Sequence, residues 1–164
     1  ADVTRLAEKG ILSGFPDGSF GPDRDVTRAE FSKMLSAVLG IKENKETAIQ
    51  FADVGDADWY APYVLALAEN GIINGYDGKF LPDDAISRQD AAVMLERAAA
   101  MQEKSFDGTV HFDDEAQIAD YAKNAVSSLG YAGIFKGYEG KFYPQGRLTR
   151  AEAAAMLARV DNLL

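Results

Sequence analysis

One unit is written three times along this chain, and a threefold internal repeat restricts the fold more than any local propensity does. The phrases Val26-Thr27-Arg28-Ala29-Glu30, Ile86-Ser87-Arg88-Gln89-Asp90 and Leu148-Thr149-Arg150-Ala151-Glu152 put their arginines 60 and 62 residues apart. Gly10-Ile11, Gly71-Ile72 and Gly133-Ile134 keep step, as do Gly14, Gly75 and Gly137. Each unit must therefore be one small supersecondary structure, covered by its neighbours.

The middle copy reads most completely. Phe51-Ala52-Asp53-Val54 leads through an acidic turn to Trp59 and Tyr60, and a helix follows with Val64, Leu67 and Ala68 on its apolar face. Gly71 then Ile72 predicts a Schellman end, with glycine in the left-handed region and the isoleucine packed on Leu67. Leu6 with Ile11 and Leu129 with Ile134 repeat that pattern. Asp77-Gly78 between Tyr76 and Phe80 predicts a tight turn between short extended segments. The first copy carries one more residue there, Phe15 to Phe20, and the third runs from Tyr138 to Phe142.

A second helix starts after Thr27, Ser87 and Thr149, which are N-caps. Glu30 and Glu152 complete capping boxes, and Asp90 is a shortened version. Phe31, Met34, Leu35 and Val38, like Met156, Leu157 and Val160, form a stripe buried on one side. The chain is thus mainly α, three helix–turn–helix repeats whose stripes must be covered by neighbouring copies. Residues 1–40, 51–99 and 112–164 are the repeats; 41–50 and 100–111 are polar linkers. Aligned on the glycines, Ala1 falls at Pro62, so the first copy starts partway into a helix and reads as a piece of something longer.

Bulk composition narrows the function. A net charge of −9 argues against general nucleic-acid binding and against docking on anionic lipid by charge. No stretch reaches the roughly 20 apolar residues of a membrane span, and no signal peptide opens the chain. Without cysteine, disulfide and thiolate chemistry are excluded. No phosphate loop, zinc spacing or nucleophile elbow is present, and no pair of acids stands out once caps and turns are assigned. His111 lies in a linker, and Asp53, Asp56 and Asp58 do not match a calcium loop. No catalytic residue, cofactor or metal is expected.

The order Phe-x-Asp, acidic turn, Trp, helix, Gly-Ile, Gly-Tyr-x-Asp-Gly-x-Phe-x-Pro, Thr-Arg-Ala-Glu resembles the S-layer homology domain, in three copies covering essentially the whole chain. The resemblance implies a pseudo-threefold spindle around a central helical bundle, on the bacterial cell surface. It implies a non-catalytic anchor for an anionic secondary cell-wall polysaccharide, commonly carrying pyruvylated N-acetylmannosamine, held in inter-repeat grooves with the Thr-Arg-Ala-Glu arginine central. Other S-layer subunits, through a protein-interaction or self-assembly surface, are the alternative partners; a wall-glycan enzyme ranks third. The second copy departs from the pattern with Ser-Arg-Gln-Asp but keeps the arginine. The third puts Tyr121 where Trp59 stands, and the first lacks that segment.

Candidate ligand-binding residues follow. Arg28, Arg88 and Arg150 sit at helix starts, where free N–H groups and a guanidinium fork suit a carboxylate; a structural ion pair is the competing reading. Trp59 and Tyr121 either stack on a sugar or staple the first helix to the core. Asp53 and Asp114 either accept sugar hydroxyls or cap a helix or turn. Tyr76 and Tyr138 share that ambiguity. Gly14, Gly75 and Gly137 either admit a ligand or serve their turns. Glu30, Asp90 and Glu152 are explained by their capping-box positions.

Overall fold

The computed structural model describes residues 2–14 and 16–164. Its described residues form six α-helices: α1 (Asp2–Glu8), α2 (Arg28–Leu39), α3 (Ala61–Glu69), α4 (Arg88–Met101), α5 (Lys123–Tyr131) and α6 (Arg150–Leu163). Two 3-10 turns, Glu115–Gln117 and Asp120–Ala122, precede α5. No described helix is long and apolar enough to cross a membrane. Ala1 and Phe15 lie outside the described residues, so the first copy's turn is described only from Pro16 onward.

The helix ends are made as the sequence predicts. Gly71 has φ of 73°, its N–H reaches the Ala68 carbonyl at 2.9 Å, and the Ile72 N–H reaches Leu67 at 2.9 Å. Ile11 on Leu6 and Ile134 on Leu129 repeat that bond at 2.9 and 3.0 Å, which is the Schellman pattern three times over. Thr27, Ser87 and Thr149 each accept the backbone N–H three residues on. In the middle turn Asp77 and Gly78 both have positive φ, and Tyr76 and Lys79 exchange two backbone bonds of 2.7 and 2.8 Å. That is the two-residue type I′ geometry; Glu139-Gly140 repeats it between Tyr138 and Lys141.

Two helices cannot enclose a core, and the repeats solve this cyclically. α3 packs on α2, α5 on α4, and α1 on α6, so the first helix of each repeat covers the second helix of another. Arg5 Nη2 donates to the Ala158 carbonyl at 2.8 Å and Lys9 pairs with Asp161 at 2.6 Å, joining the two ends of the chain. At the centre the backbones of Val26, Ile86 and Leu148 close a triangle. Val26 N–H donates to Leu148, Leu148 to Ile86, and Ile86 to Val26, at 2.9, 3.4 and 3.0 Å. All three side chains are fully buried in one core that runs through every repeat. Ile41 and Ile49 from the first linker pack against it, and α4 continues to Met101, two residues into the second.

Candidate functional site

Each of the three phrases puts an arginine at the first position of a helix, and a helix start has backbone N–H groups to satisfy. The sequence reading leaves those groups free for an anion. The structure corrects it. Arg28 N–H donates to Asp84 and Ala29 N–H to Pro82; Arg88 and Gln89 donate to Gly146 and Pro144; Arg150 and Ala151 donate to Arg24 and Pro22. The turn carbonyls of another repeat fill the helix start, because buried donors must find partners. Any anion has to be met by side chains.

The guanidinium groups are built into the same joints. Nε of Arg28, Arg88 and Arg150 donates to the Phe80, Phe142 and Phe20 carbonyls at 2.9, 2.8 and 2.9 Å. Each guanidinium carbon lies over the ring of that phenylalanine, at 5.0, 5.1 and 4.8 Å from its centre. Arg28 and Arg150 are only 6 and 7% exposed. Burial pulls Arg88 and Arg150 below the usual arginine range, with Glu152 and Glu30 respectively opposing it. Arginine remains charged in such a setting.

Asp53 and Asp114 support these joints from behind. The two oxygens of Asp53 accept the Phe80 and Leu81 N–H groups at 2.7 and 2.8 Å; those of Asp114 accept Phe142 and Tyr143 at 2.8 and 2.7 Å. Burial disfavours the Asp53 charge, yet these backbone donors and Lys79 outweigh it and hold the carboxyl below its usual value. So Asp53 grips the peptide whose carbonyl grips Arg28. The glycines belong to the turns as well. A Cβ on Gly75 would lie 2.6 Å from both the Lys79 carbonyl oxygen and the Phe51 ring. On Gly137 it would meet the Lys141 oxygen at 2.7 Å and the Phe112 ring at 2.8 Å; on Gly14 it would meet Ser19 at 2.9 Å.

Two clefts of matching construction open between repeats. The Arg28 groove, about 250 Å³, is floored by Arg28 and walled by Asn74, Gly75 and Tyr76 of the middle turn, Asp90, Val93 and Arg97 of α4, and Tyr121. The Arg150 groove, about 190 Å³, takes Arg150, Ser13 and Gly14, Glu30 and Lys33 of α2, and Trp59. Trp59 and Tyr121 are each 54% exposed, so neither is a core staple. Arg150 also donates to the Ser13 carbonyl at 2.8 Å. Around Arg88 the same parts recur: Arg88 Nη2 donates to Lys136 at 3.2 Å, Nη1 lies 3.8 Å from Glu152, and Tyr138 is exposed nearby in sequence. The repeat register puts its aromatic wall ahead of residue 1, outside the described residues.

Two features escape a reading of the sequence. Asp90 is not a capping residue in full: its N–H bonds Ser87, but its carboxylate leaves the helix. It lies 3.1 Å from Arg28 Nη1 and accepts the Tyr121 hydroxyl at 2.7 Å. Burial, together with bonds to Tyr76 and Asp90, pushes the Tyr121 phenol far above its normal range. Arg97 and Arg159, 62 residues apart, donate to the Ile72 and Ile134 carbonyls that follow the Schellman glycines; their shared register was the available signal. His111 pairs with Glu115 on the surface at 2.9 Å, and Asp58 accepts Gly55 N–H and the Tyr60 hydroxyl, apart from Asp53's own partners.

Comparison with known proteins agrees with this architecture. Residues 1–32, 50–92 and 111–154 match the family described as S-layer homology domain. The chain is 39% identical over 158 residues to exoglucanase XynX of Acetivibrio thermocellus, covering 93% of this chain and 14% of that protein. It is 33% identical to the cellulosome-anchoring protein of the same organism (91% of this chain, 35% of that one). It is 31% identical to the S-layer protein sap of Bacillus anthracis (98% and 20%). The chain thus spans only a minor part of each of these relatives.

Proposed function

The chain belongs to the S-layer homology domain family, and from that premise we propose that it is a non-catalytic module anchoring a larger protein to the bacterial cell wall. Similarity to a cellulosome-anchoring protein and an S-layer protein supports an extracellular, wall-bound setting. The catalytic name of the exoglucanase belongs to a protein of which this chain matches 14%. Its ligand, in this reading, is an anionic secondary wall polysaccharide with pyruvyl ketals.

One observation carries the reading. Fixed guanidinium groups floor clefts whose rims carry exposed aromatic rings, an arrangement suited to a sugar that bears a carboxylate. The aromatic covers an apolar sugar face, and the preorganised cation meets the acid without ordering a flexible side chain. A net charge of −9 makes such local cations necessary for any anionic partner.

Calorimetry with purified polymer, native and stripped of pyruvate, tests it. Binding is expected for the native polymer and lost without the ketal; equal binding to both forms overturns the carboxylate mechanism. Because the arginines hold repeats together, the informative variant is Trp59→Ala, whose side chain stands at the surface. It is expected to leave stability within about 0.5 kcal/mol and to weaken binding by roughly tenfold or less. Unchanged affinity removes Trp59 from the site. Binding to another protein subunit with none to the polymer favours the interaction-module alternative.

A further inference from the structure

We infer that Asp90 is a built-in carboxylate ligand of Arg28, so that the Arg28 groove is closed to acidic sugar units and the Arg150 groove is the one that takes them. The inference rests on the reading of the grooves as polysaccharide sites and separates them by kind.

The argument begins with one methylene. Glu30 reaches back to the Thr27 N–H at 3.0 Å and Glu152 to the Thr149 N–H at 2.9 Å, completing both capping boxes. Asp90 at the same place is shorter, and only the forward half of the box forms, its N–H donating to Ser87 Oγ at 3.2 Å. Its carboxylate is released toward the neighbouring repeat. There it meets Arg28 at 3.1 Å, with the Tyr121 hydroxyl on its other oxygen at 2.7 Å and Gln89 donating to that hydroxyl at 3.2 Å.

Formal charge does not distinguish the grooves. Arg28, Arg97 and Asp90 sum to +1, as do Arg150, Lys33 and Glu30. What differs is where the carboxylate points. In the Arg28 groove it occupies the place an incoming carboxylate would take, and its displacement would leave a partly buried charge without its cation, which is costly. In the Arg150 groove Glu30 is committed to the Thr27 N–H and to Arg24. Lys33 stands where the other groove has Val93, its ammonium 5.9 Å from the Trp59 ring centre.

Amide and guanidinium NMR of the 17.7 kDa chain reads both grooves at once. The probe is a purified pyruvylated wall-polysaccharide fragment, with its pyruvate-free form as control. In the wild type, Gly14 N–H and Arg150 Nε–H are expected to shift with the native fragment, and Gly75 and Arg28 to stay still. Asp90→Asn should make Gly75 and Arg28 respond, and calorimetry should count one more bound unit per chain. Asp90→Glu, which restores the full capping box on Ser87, is expected to do the same. If Gly75 titrates alongside Gly14 in the wild type, or neither variant adds a unit, the inference is overturned while the binding function survives. Silence at both grooves in all three proteins overturns the inference and the function together.

Discussion

At the start of α2 a glutamate closes its own helix; at the start of α4 an aspartate leaves its helix for the next repeat. The Arg150 and Arg28 grooves share a frame, with Nε on a phenylalanine carbonyl and the guanidinium over the ring. They differ because the first acid is spent locally and the second is not. A substitution that looks conservative within one helix therefore changes the chemistry of a cleft between two repeats. The repeats are equivalent as architecture and not as binding sites.

The largest expected difference is in stability. Arg28→Ala removes the cation from Asp90, which is 17% exposed in its side chain, and strands a carboxylate together with the Phe80 carbonyl. Loss of one member of such a buried pair costs about 3–5 kcal/mol. Arg150→Ala loses charge-assisted bonds to the Phe20 and Ser13 carbonyls, and Glu30 keeps its capping bond, so about 1.5–3 kcal/mol is expected. Urea unfolding of the two variants measures the gap. Adding Asp90→Ala to Arg28→Ala should recover part of the loss. Equal costs at the two arginines would mean that Asp90 and Glu30 stand in the same relation to them.

The local half of this contrast was legible in the sequence. N-caps, Schellman glycines and buried stripes depend on residues three to seven apart, and all appear where the phrases put them. The joints were not legible, because their partners lie far along the chain. Arg28 finds Phe80 at a separation of 52 residues, Arg88 finds Phe142 at 54 and Arg150 finds Phe20 at 130. Rules for helix ends assume that unsatisfied N–H groups face solvent or ligand; here a neighbouring turn occupies them. Aligning the repeats identifies equivalent residues but does not say which repeat touches which. That is why the arginines were legible as special while their structural task was not, and why Asp90 was read as a cap.

A smaller effect tests the support behind Arg28. Asp53 holds the Phe80 peptide, and that peptide's carbonyl holds Arg28. Asp53→Asn replaces one acceptor oxygen by a donor that faces an N–H, at a cost of about 1–2 kcal/mol. The pH dependence has a definite sign. A carboxyl held below its unfolded value of about 3.9 contributes its full stability above that pH and loses it as pH falls through the folded value. Wild-type stability should therefore drop between pH 4 and more acidic conditions by more than that of Asp53→Asn, as followed by circular dichroism. Parallel curves would show that the charge on Asp53 is irrelevant to the turn. In NMR spectra of the wild type at the same pH, Arg28 Nε–H should respond before Arg150 Nε–H.

The smallest effect belongs to Lys33, and it isolates what the Arg150 groove has beyond the shared frame. Its ammonium lies near both the Trp59 and Tyr63 rings, at 5.9 and 5.7 Å from their centres. At this partly wet site such contacts and the added positive charge amount to about 0.5–1 kcal/mol. Lys33→Gln should thus weaken binding of the pyruvylated polymer by roughly two- to fivefold. It should also flatten the salt dependence, since exposed charges are screened within about 8 Å at physiological ionic strength. Fold stability should hardly move, because the residue seals no joint between repeats. If affinity and its salt dependence are both unchanged, the acid is read by Arg150 alone, and the exchange of lysine for valine between the two grooves has no bearing on their difference. If the salt dependence flattens without loss of affinity in low salt, Lys33 guides the polymer in without holding it.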